Sequence, residues 1–227
     1  MKILEDIKLD IPGDTGKDFL TKLMGGMLNP TMEQLLSEKR EVCVENMTAK
    51  AVYDTFEISK VQGDFVYFNS GAVFEGPNIS KILKGSSEAA IFICTLGEKI
   101  DRIIKEVSDG GDSLSVIIMD AITTDMLGLL SEYMGNFLRQ EGIKNSGWAS
   151  TCSYSPGQYK WTIEEQKVIF SMVDGASIGV ELNQSYLMVP FKTLSGTYGF
   201  GPEETIDKTR VACDLCPRQN CIGGTDD

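Results

Sequence analysis

The pattern that most restricts the fold lies in residues 113–140. Apolar side chains recur there close to every 3.6 residues, which is typical of a long amphipathic helix with one face in a core. One acid, Asp125, interrupts this apolar stripe. Its carboxylate is either solvated at the edge of the stripe or faces a cleft, where it could attract a sulfonium or an amino group. The stripe consists of Leu114, Ile117, Ile118, Ala121, Ile122, Met126, Leu129, Leu130, Tyr133, Phe137 and Leu138.

Shorter elements surround this helix. Helical spacing predicts helices over 15–28, 32–54, 78–83 and 98–107, and residues 56–69 are typical of two strands joined by a turn. Residues 89–95 form an apolar run with β-branched and aromatic side chains, which predicts a buried strand. Strands and helices do not alternate regularly, so a parallel doubly wound sheet is disfavoured. We therefore expect an α+β fold with a mixed, mainly antiparallel, twisted sheet and flanking helices.

Composition excludes several classes of function. The net charge of −12 disfavours nucleic acids and anionic membrane surfaces as partners, since both attract clustered Lys and Arg. The longest apolar run, residues 89–94, is too short to span a bilayer, and the first residues lack the pattern of a signal peptide. We therefore expect a cytoplasmic protein, in which the six cysteines are thiols or metal ligands. The chain has no histidine, which excludes Ser-His-Asp and Cys-His catalysis.

Residues 154–201 combine a turn, a helix and glycine-rich strands. Pro156 and Gly157 occupy the central positions of a predicted type II turn from Ser155 to Gln158, which can leave backbone groups free to face a ligand. Thr162 and Glu165 have the spacing of a capping box, which predicts a helix to about residue 173. Antiparallel strands are predicted over 178–182, 186–189 and 193–200, with glycines in the last.

Four motifs occur in this block in one order: SPG-x-x-x-W, E-x-Q-x-x-x-F, IGV-x-L-x-x-S-x-x-M-x-P and K-x-x-SG. In this order they resemble the activation domain of cobalamin-dependent methionine synthase. The sequence TLGEKIDRII and the D-A-x-x-x-D pattern at Asp120 resemble stand-alone members of that family, so the resemblance covers about residues 88–201. We accordingly divide the chain into an activation-domain-like part, 1–205, with subdivisions 1–85 and 86–205, and a tail, 206–227.

The resemblance implies a function. Members of this family bind S-adenosylmethionine and support reductive methylation of oxidised cobalamin, with an electron from a low-potential donor. The cobalamin would be held by a partner chain, either a methionine synthase or another corrinoid methyltransferase. The protein would then be an accessory component of methyltransferase activity without catalytic side chains of its own. The alternative is a non-catalytic corrinoid-protein binding or assembly partner, or an Fe–S electron-transfer module, that no longer binds S-adenosylmethionine.

The resemblance also points to ligand-binding residues. The family signature is an Arg, three residues, then Gly-Tyr; Gly157 keeps the glycine, whereas Ser153 and Gln158 replace the Arg and the Tyr. Ser153 can offer a ligand carboxylate only a neutral hydrogen bond. Tyr198 matches a strand aromatic that faces the methyl donor, or is an ordinary strand tyrosine. The residues predicted to bind the ligand are Ser153, Ser155, Pro156, Gly157, Gln158, Tyr198 and Asp125.

The tail carries three thiols at Cys213, Cys216 and Cys221. Two cysteines separated by two residues can hold one metal, and three cysteines suit a 4Fe–4S cluster better than a closed zinc site. Cys152 is a candidate fourth ligand, and Lys208, Arg210 and Arg218 would offset the charge of the thiolates. The alternative is a flexible tail whose thiols scavenge metal or form a redox disulfide.

Overall fold

The fold was analysed in a computed structural model that describes residues 1–143 and 147–217. The helices are α1 (Lys17–Met24), α2 (Pro30–Asn46), α3 (Pro77–Ile82), α4 (Glu98–Asp109), α5 (Ser113–Gly142) and α6 (Gln166–Met172), with 3₁₀ turns at Ile163–Glu165, Gly175–Ile178 and Ala212–Leu215. The strands are β1 (Lys2–Leu4), β2 (Lys50–Gln62), β3 (Phe65–Phe68), β4 (Val73–Glu75), β5 (Glu88–Thr95), β6 (Trp148–Ser150), β7 (Glu181–Leu182), β8 (Met188–Val189) and β9 (Thr193–Pro202).

The main sheet has the strand order β4-β3-β2-β5-β9-β6, and β1 pairs with the start of β2. Every pairing among the described strands is antiparallel. Helices lie on both faces of the sheet, which confirms the predicted α+β class. The sheet takes strands from both sides of residue 85, so the two predicted subdivisions share it.

The long helix α5 is the centre of one face. Its buried apolar residues pack with α1, α2 and α4 against the side of the sheet that carries Tyr53, Phe92 and Phe200. The Asp112 side chain accepts a hydrogen bond from the Ser115 N–H at 3.0 Å, which fixes the start of the helix. By length and apolar composition α5 meets the criteria for a membrane-spanning helix, but here Ile118, Ile122, Met126, Leu130 and Leu138 of its stripe lie in the core. Leu114 and Ile117, also predicted to belong to the buried stripe, are exposed.

The opposite face of the sheet is covered by α3, α6 and the chain around Trp161. In β5, Phe92 belongs to the core on the α5 side, whereas Ile91 and Ile93 belong to the core on the α6 side. This central strand is therefore buried on both faces, as its continuous apolar run predicts.

Three local predictions were wrong. Helix α2 ends at Asn46, and residues 50–54 belong to β2. The capping box at Thr162 does not form, because the Glu165 carboxylate instead accepts a hydrogen bond from the Glu75 N–H at 2.9 Å. Of the strand predicted over 178–182, only Glu181 and Leu182 form a strand, and Ile178 is the last residue of a 3₁₀ turn.

Candidate functional site

Residues 148–158 run along the edge of the sheet, antiparallel to β9. Strand β6 pairs with the end of β9, and Tyr154 then exchanges backbone hydrogen bonds of 3.1 and 3.0 Å with Thr197. The Tyr154 ring stacks on Trp161 in the core. This pairing holds the following turn, Ser155 to Gln158, beside the start of β9.

The turn at Ser155 has the predicted geometry. The Gln158 N–H donates to the Ser155 carbonyl oxygen at 3.1 Å, and Gly157 has a φ of +95°, which a type II turn requires. The Gly157 N–H donates to the Trp161 carbonyl at 2.8 Å, and the Ser155 N–H donates to Gln158 Oε1 at 2.8 Å. These N–H groups are bonded to nearby residues of the chain and are not free to face a ligand.

Side chains of the sequence motifs also bind one another. Ser155 Oγ donates to the Ser195 carbonyl at 2.7 Å, and Ser195 Oγ donates to Gln166 Oε1 at 2.8 Å. Ser195 and Gln166 are almost fully buried. Three of the four recognised motifs are thus joined by hydrogen bonds that position the turn, α6 and β9.

A buried lysine connects the K-x-x-SG motif to helix α5, on the opposite face of the sheet from α6. Lys192, from the K-x-x-SG motif, donates to Asp120 Oδ1 at 2.7 Å and to Thr124 Oγ1 at 3.0 Å. The Lys192 side chain is 7% exposed, and the Asp120 side chain is 52% exposed. The D-A-x-x-x-D motif on α5 is therefore bonded to the chain at the start of β9.

The second acid of that motif, Asp125, is half-buried on α5. Its carboxylate accepts a hydrogen bond from the Gly16 N–H at 2.7 Å and so fixes the chain just before α1. Asp125 lies ten residues before Gly135 on α5, which is about 15 Å along the helix axis. The structure does not bring Asp125 together with Tyr198, which lies beside Gly135.

Tyr198 lies on the α5 side of β9 and is 5% exposed. A Cβ added at Gly135 would lie 2.4 Å from the Tyr198 hydroxyl, so the glycine makes room for the phenol. The Arg139 guanidinium lies over the Tyr198 ring, 5.5 Å from its centroid. Burial raises the pKa of Tyr198, and the Arg139 charge and an interaction with the Ser153 side chain act against this rise. The structure thus places Ser153 and Arg139 beside Tyr198.

A groove of about 510 Å³ opens next to these residues, where the end of α5 meets the β6 edge and the chain after β9. This volume is in the range of small-molecule sites. Its charged side chains are three cations and one carboxylate, although the chain as a whole is acidic. The groove is lined by Arg139, Ile143, Trp148, Ala149, Ser150, Thr151, Cys152, Glu203, Lys208, Arg210 and Val211.

The three cations of the groove differ in their partners. Lys208 pairs with Glu203, and Arg210 pairs with Asp207 at 2.9 Å. Arg139 donates to the neutral Asn136 Oδ1 at 3.0 Å, and within the described ranges no carboxylate lies within ion-pair distance of it.

The predicted metal ligands are only partly described. Cys213 lies in the last 3₁₀ turn and is exposed. Cys216 directly follows that turn and is half-buried. Cys221 and Arg218 lie outside the described residues. Burial raises the pKa of Cys152 to about 11, so its thiol is protonated at neutral pH. Residues 1–143 and 147–217 contain no group of three side chains placed to hold a metal ion, and the predicted cluster stays a prediction.

Sequence reasoning missed Arg139. The sequence predicts Lys208 and Arg210 as counter-charges for the thiolates, and the structure places both in the wall of the groove. The signal for Arg139 was Gly135, a glycine four residues earlier on the same helix. A glycine inside a helix lowers helix stability, so it commonly indicates close approach of another group.

No family model matches the chain, and no curated protein matches it in sequence. Among solved structures, the crystal structure of the MetH reactivation domain bound to AdoHcy (S-adenosylhomocysteine) is similar, with a TM-score of 0.64 and 14% identity. The match covers 93% of this chain and 81% of that chain. At this low identity the structural similarity is evidence for the fold alone. It confirms the fold that the motifs predict. The chain has the fold of the MetH reactivation domain.

Proposed function

We propose that this protein binds S-adenosylmethionine and S-adenosylhomocysteine, and that it supports the reductive reactivation of a corrinoid methyltransferase such as methionine synthase. The observation that carries the proposal is the likeness of fold, over nearly the whole chain, to a domain solved with S-adenosylhomocysteine. The groove at the end of α5 supports it further, because its volume is in the range of small-molecule sites.

In the proposed reaction the corrinoid of the partner protein is the substrate. One electron from an external low-potential donor reduces Co(II) to Co(I). The Co(I) then takes the methyl group from the sulfonium, and the sulfur keeps the electron pair of the broken bond, giving methyl-Co(III) and S-adenosylhomocysteine. The protein would bind and orient the methyl donor, and no step requires a proton transfer. This agrees with a chain that has no histidine.

Ligand binding is the first test. Titration calorimetry of the purified protein with S-adenosylhomocysteine should give saturable binding with one site per chain. Adenosine at the same concentrations is the control for unspecific binding of a nucleoside. Absence of binding at millimolar S-adenosylhomocysteine would remove the methyl-donor role and favour the alternative of a corrinoid-protein binding partner.

Reactivation is the second test. A cobalamin-dependent methionine synthase without an activation domain is held in its Co(II) state and mixed with S-adenosylmethionine and a low-potential reductant. Addition of this protein should accelerate the return of the methylcobalamin absorbance. An unchanged rate, in a sample that binds S-adenosylhomocysteine, would contradict the reactivation function while leaving ligand binding intact.

The C-terminal thiols add a separate proposal, a 4Fe–4S cluster that passes the electron. Iron and sulfide analysis after anaerobic purification tests it. About four iron atoms per chain is the expected result, and a colourless protein without iron would contradict the cluster but not the binding of the methyl donor.

A further inference from the structure

The groove at the end of α5 has a charge that its surroundings do not balance. The chain carries a net charge of −12, but the groove is lined by three cations and only one carboxylate. Lys208 and Arg210 already have acidic partners at the protein surface. Arg139 is therefore the cation of this groove that can gain most from an added anion.

The position of Arg139 is also fixed more closely than that of a surface arginine. Asn136 accepts a hydrogen bond from its Nη2 at 3.0 Å, and the Tyr198 ring lies beneath its guanidinium. Gly135 gives the Tyr198 hydroxyl the space that it occupies. An arginine that is already oriented loses less conformational entropy when it binds an anion, and its planar donors match a carboxylate.

The groove offers both the charged and the apolar surface that a nucleoside linked to an amino acid needs. Ile143, Trp148 and Val211 provide apolar surface, and the Trp148 ring can stack on a base. Thr151 does not contribute its hydroxyl, because it is bonded to neighbouring backbone groups. Within the groove, recognition of charge thus depends on Arg139, while Ile143, Trp148 and Val211 supply apolar contact.

We infer that Arg139 binds the carboxylate of the amino-acid part of S-adenosylmethionine or S-adenosylhomocysteine in this groove. The inference rests on the proposed function and adds to it the residue that selects the ligand. Ser153 brings no charge to the neighbourhood of Tyr198, whereas Arg139 brings a cation there from helix α5. Arg139 is a binding residue, and it takes no part in bond making.

The test compares two ligands on two proteins. S-adenosylhomocysteine carries the carboxylate, whereas decarboxylated S-adenosylhomocysteine keeps the nucleoside, the sulfur and the amine. Calorimetry should show that wild-type protein prefers the first ligand by about 10- to 100-fold, as for a charge-assisted hydrogen bond. Arg139→Met should abolish this preference by weakening only the carboxylate ligand, and Arg139→Lys should restore part of it.

Arg102→Met is the matched control. Arg102 is an exposed arginine on α4 that pairs with Glu98, so its replacement makes the same change in net charge away from the groove. The control should keep the wild-type preference. Circular dichroism and the melting temperature establish that each variant is folded.

Two outcomes would overturn the inference and leave the proposed function standing. In the first, wild-type protein binds both ligands equally; in the second, Arg139→Met keeps the wild-type preference. If neither ligand binds to the wild-type protein, the proposed function fails and the inference fails with it.

Discussion

The sequence-motif block lies around the start of β9, the groove lies at the end of that strand, and the two regions use their polar groups differently. In the block, Ser155, Gln166 and Ser195 are bonded to other parts of the chain, and Lys192 is paired with Asp120. In the groove, Arg139 has no acidic partner among the residues that the structure describes.

This difference distinguishes the motif block, whose polar groups hold the fold together, from the groove, whose arginine is available to bind a ligand. Polar groups that are buried and paired stabilise one arrangement of the chain, and little of their hydrogen-bonding capacity remains for a ligand. A charged group at the wall of an open groove still has capacity to bind one. Substitutions in the motif block should therefore change stability more than affinity, and substitutions around the groove should change affinity more than stability.

Asp120→Ala gives the largest expected effect on stability. It leaves the Lys192 ammonium, with its side chain 7% exposed, without its counter-charge. Water reaches the half-exposed Asp120, so the expected loss is about 2–3 kcal/mol in the free energy of unfolding, below the range for fully buried pairs. Urea denaturation measures it. Lys192→Met should cost less, because it leaves no buried charge.

Lys105→Met is the control for this pair, since Lys105 and Asp109 form an exposed pair on α4. It should change stability little. An Asp120→Ala variant as stable as this control would show that the motif lysine does not depend on its partner. A loss of ligand affinity in a folded Asp120→Ala protein would contradict the distinction between the motif block and the groove.

Ser195→Ala should have a smaller effect. It removes the hydroxyl that donates to Gln166 Oε1 and leaves that oxygen buried without its partner. The expected loss is about 1–2 kcal/mol in the free energy of unfolding, with unchanged affinity for S-adenosylhomocysteine. Thermal or urea denaturation and calorimetry on one sample measure the two quantities, and Ser171→Ala on the exposed side of α6 is the control.

Two glycines of α5 provide the finest comparison. A Cβ at Gly135 would lie 2.4 Å from the Tyr198 hydroxyl, whereas a Cβ at Gly128 meets nothing within 4 Å. Gly128→Ala should raise the free energy of unfolding by about 0.5–1 kcal/mol through helix propensity and leave affinity unchanged. Gly135→Ala should lower it by about 1 kcal/mol, because the phenol must move, and should also weaken S-adenosylhomocysteine binding.

Denaturation and calorimetry on both variants check this prediction. If Gly128→Ala and Gly135→Ala had the same affinity for S-adenosylhomocysteine and the same free energy of unfolding, the position of Tyr198 would not matter for the ligand.

The sequence predicted those parts of the fold that depend on local patterns. Helix α5 was predicted almost to its ends, because its stripe is long and Asp112 caps it. The boundary between α2 and β2 was missed, because Ala51, Val52 and Tyr53 are all buried and so lack the alternation that identifies a strand.

The remaining errors concern contacts between distant parts of the chain. Glu165 has the spacing of a capping box, but its carboxylate binds the backbone of Glu75, which no local pattern reveals. The same limit applies to the site: Ser153 and Tyr198 were predicted from motifs, whereas Arg139 acquires its role only when α5 packs against β9.

A crystal structure of the protein with S-adenosylhomocysteine is the decisive test of the Arg139 site. We expect ligand density in the groove between the end of α5 and β6, with the carboxylate within hydrogen-bond distance of Arg139. We also expect the hydrogen bonds of Ser155, Ser195 and Gln166 to be unchanged. Ligand density confined to the turn at residues 155–158, away from Arg139, would show that Arg139 does not bind the carboxylate.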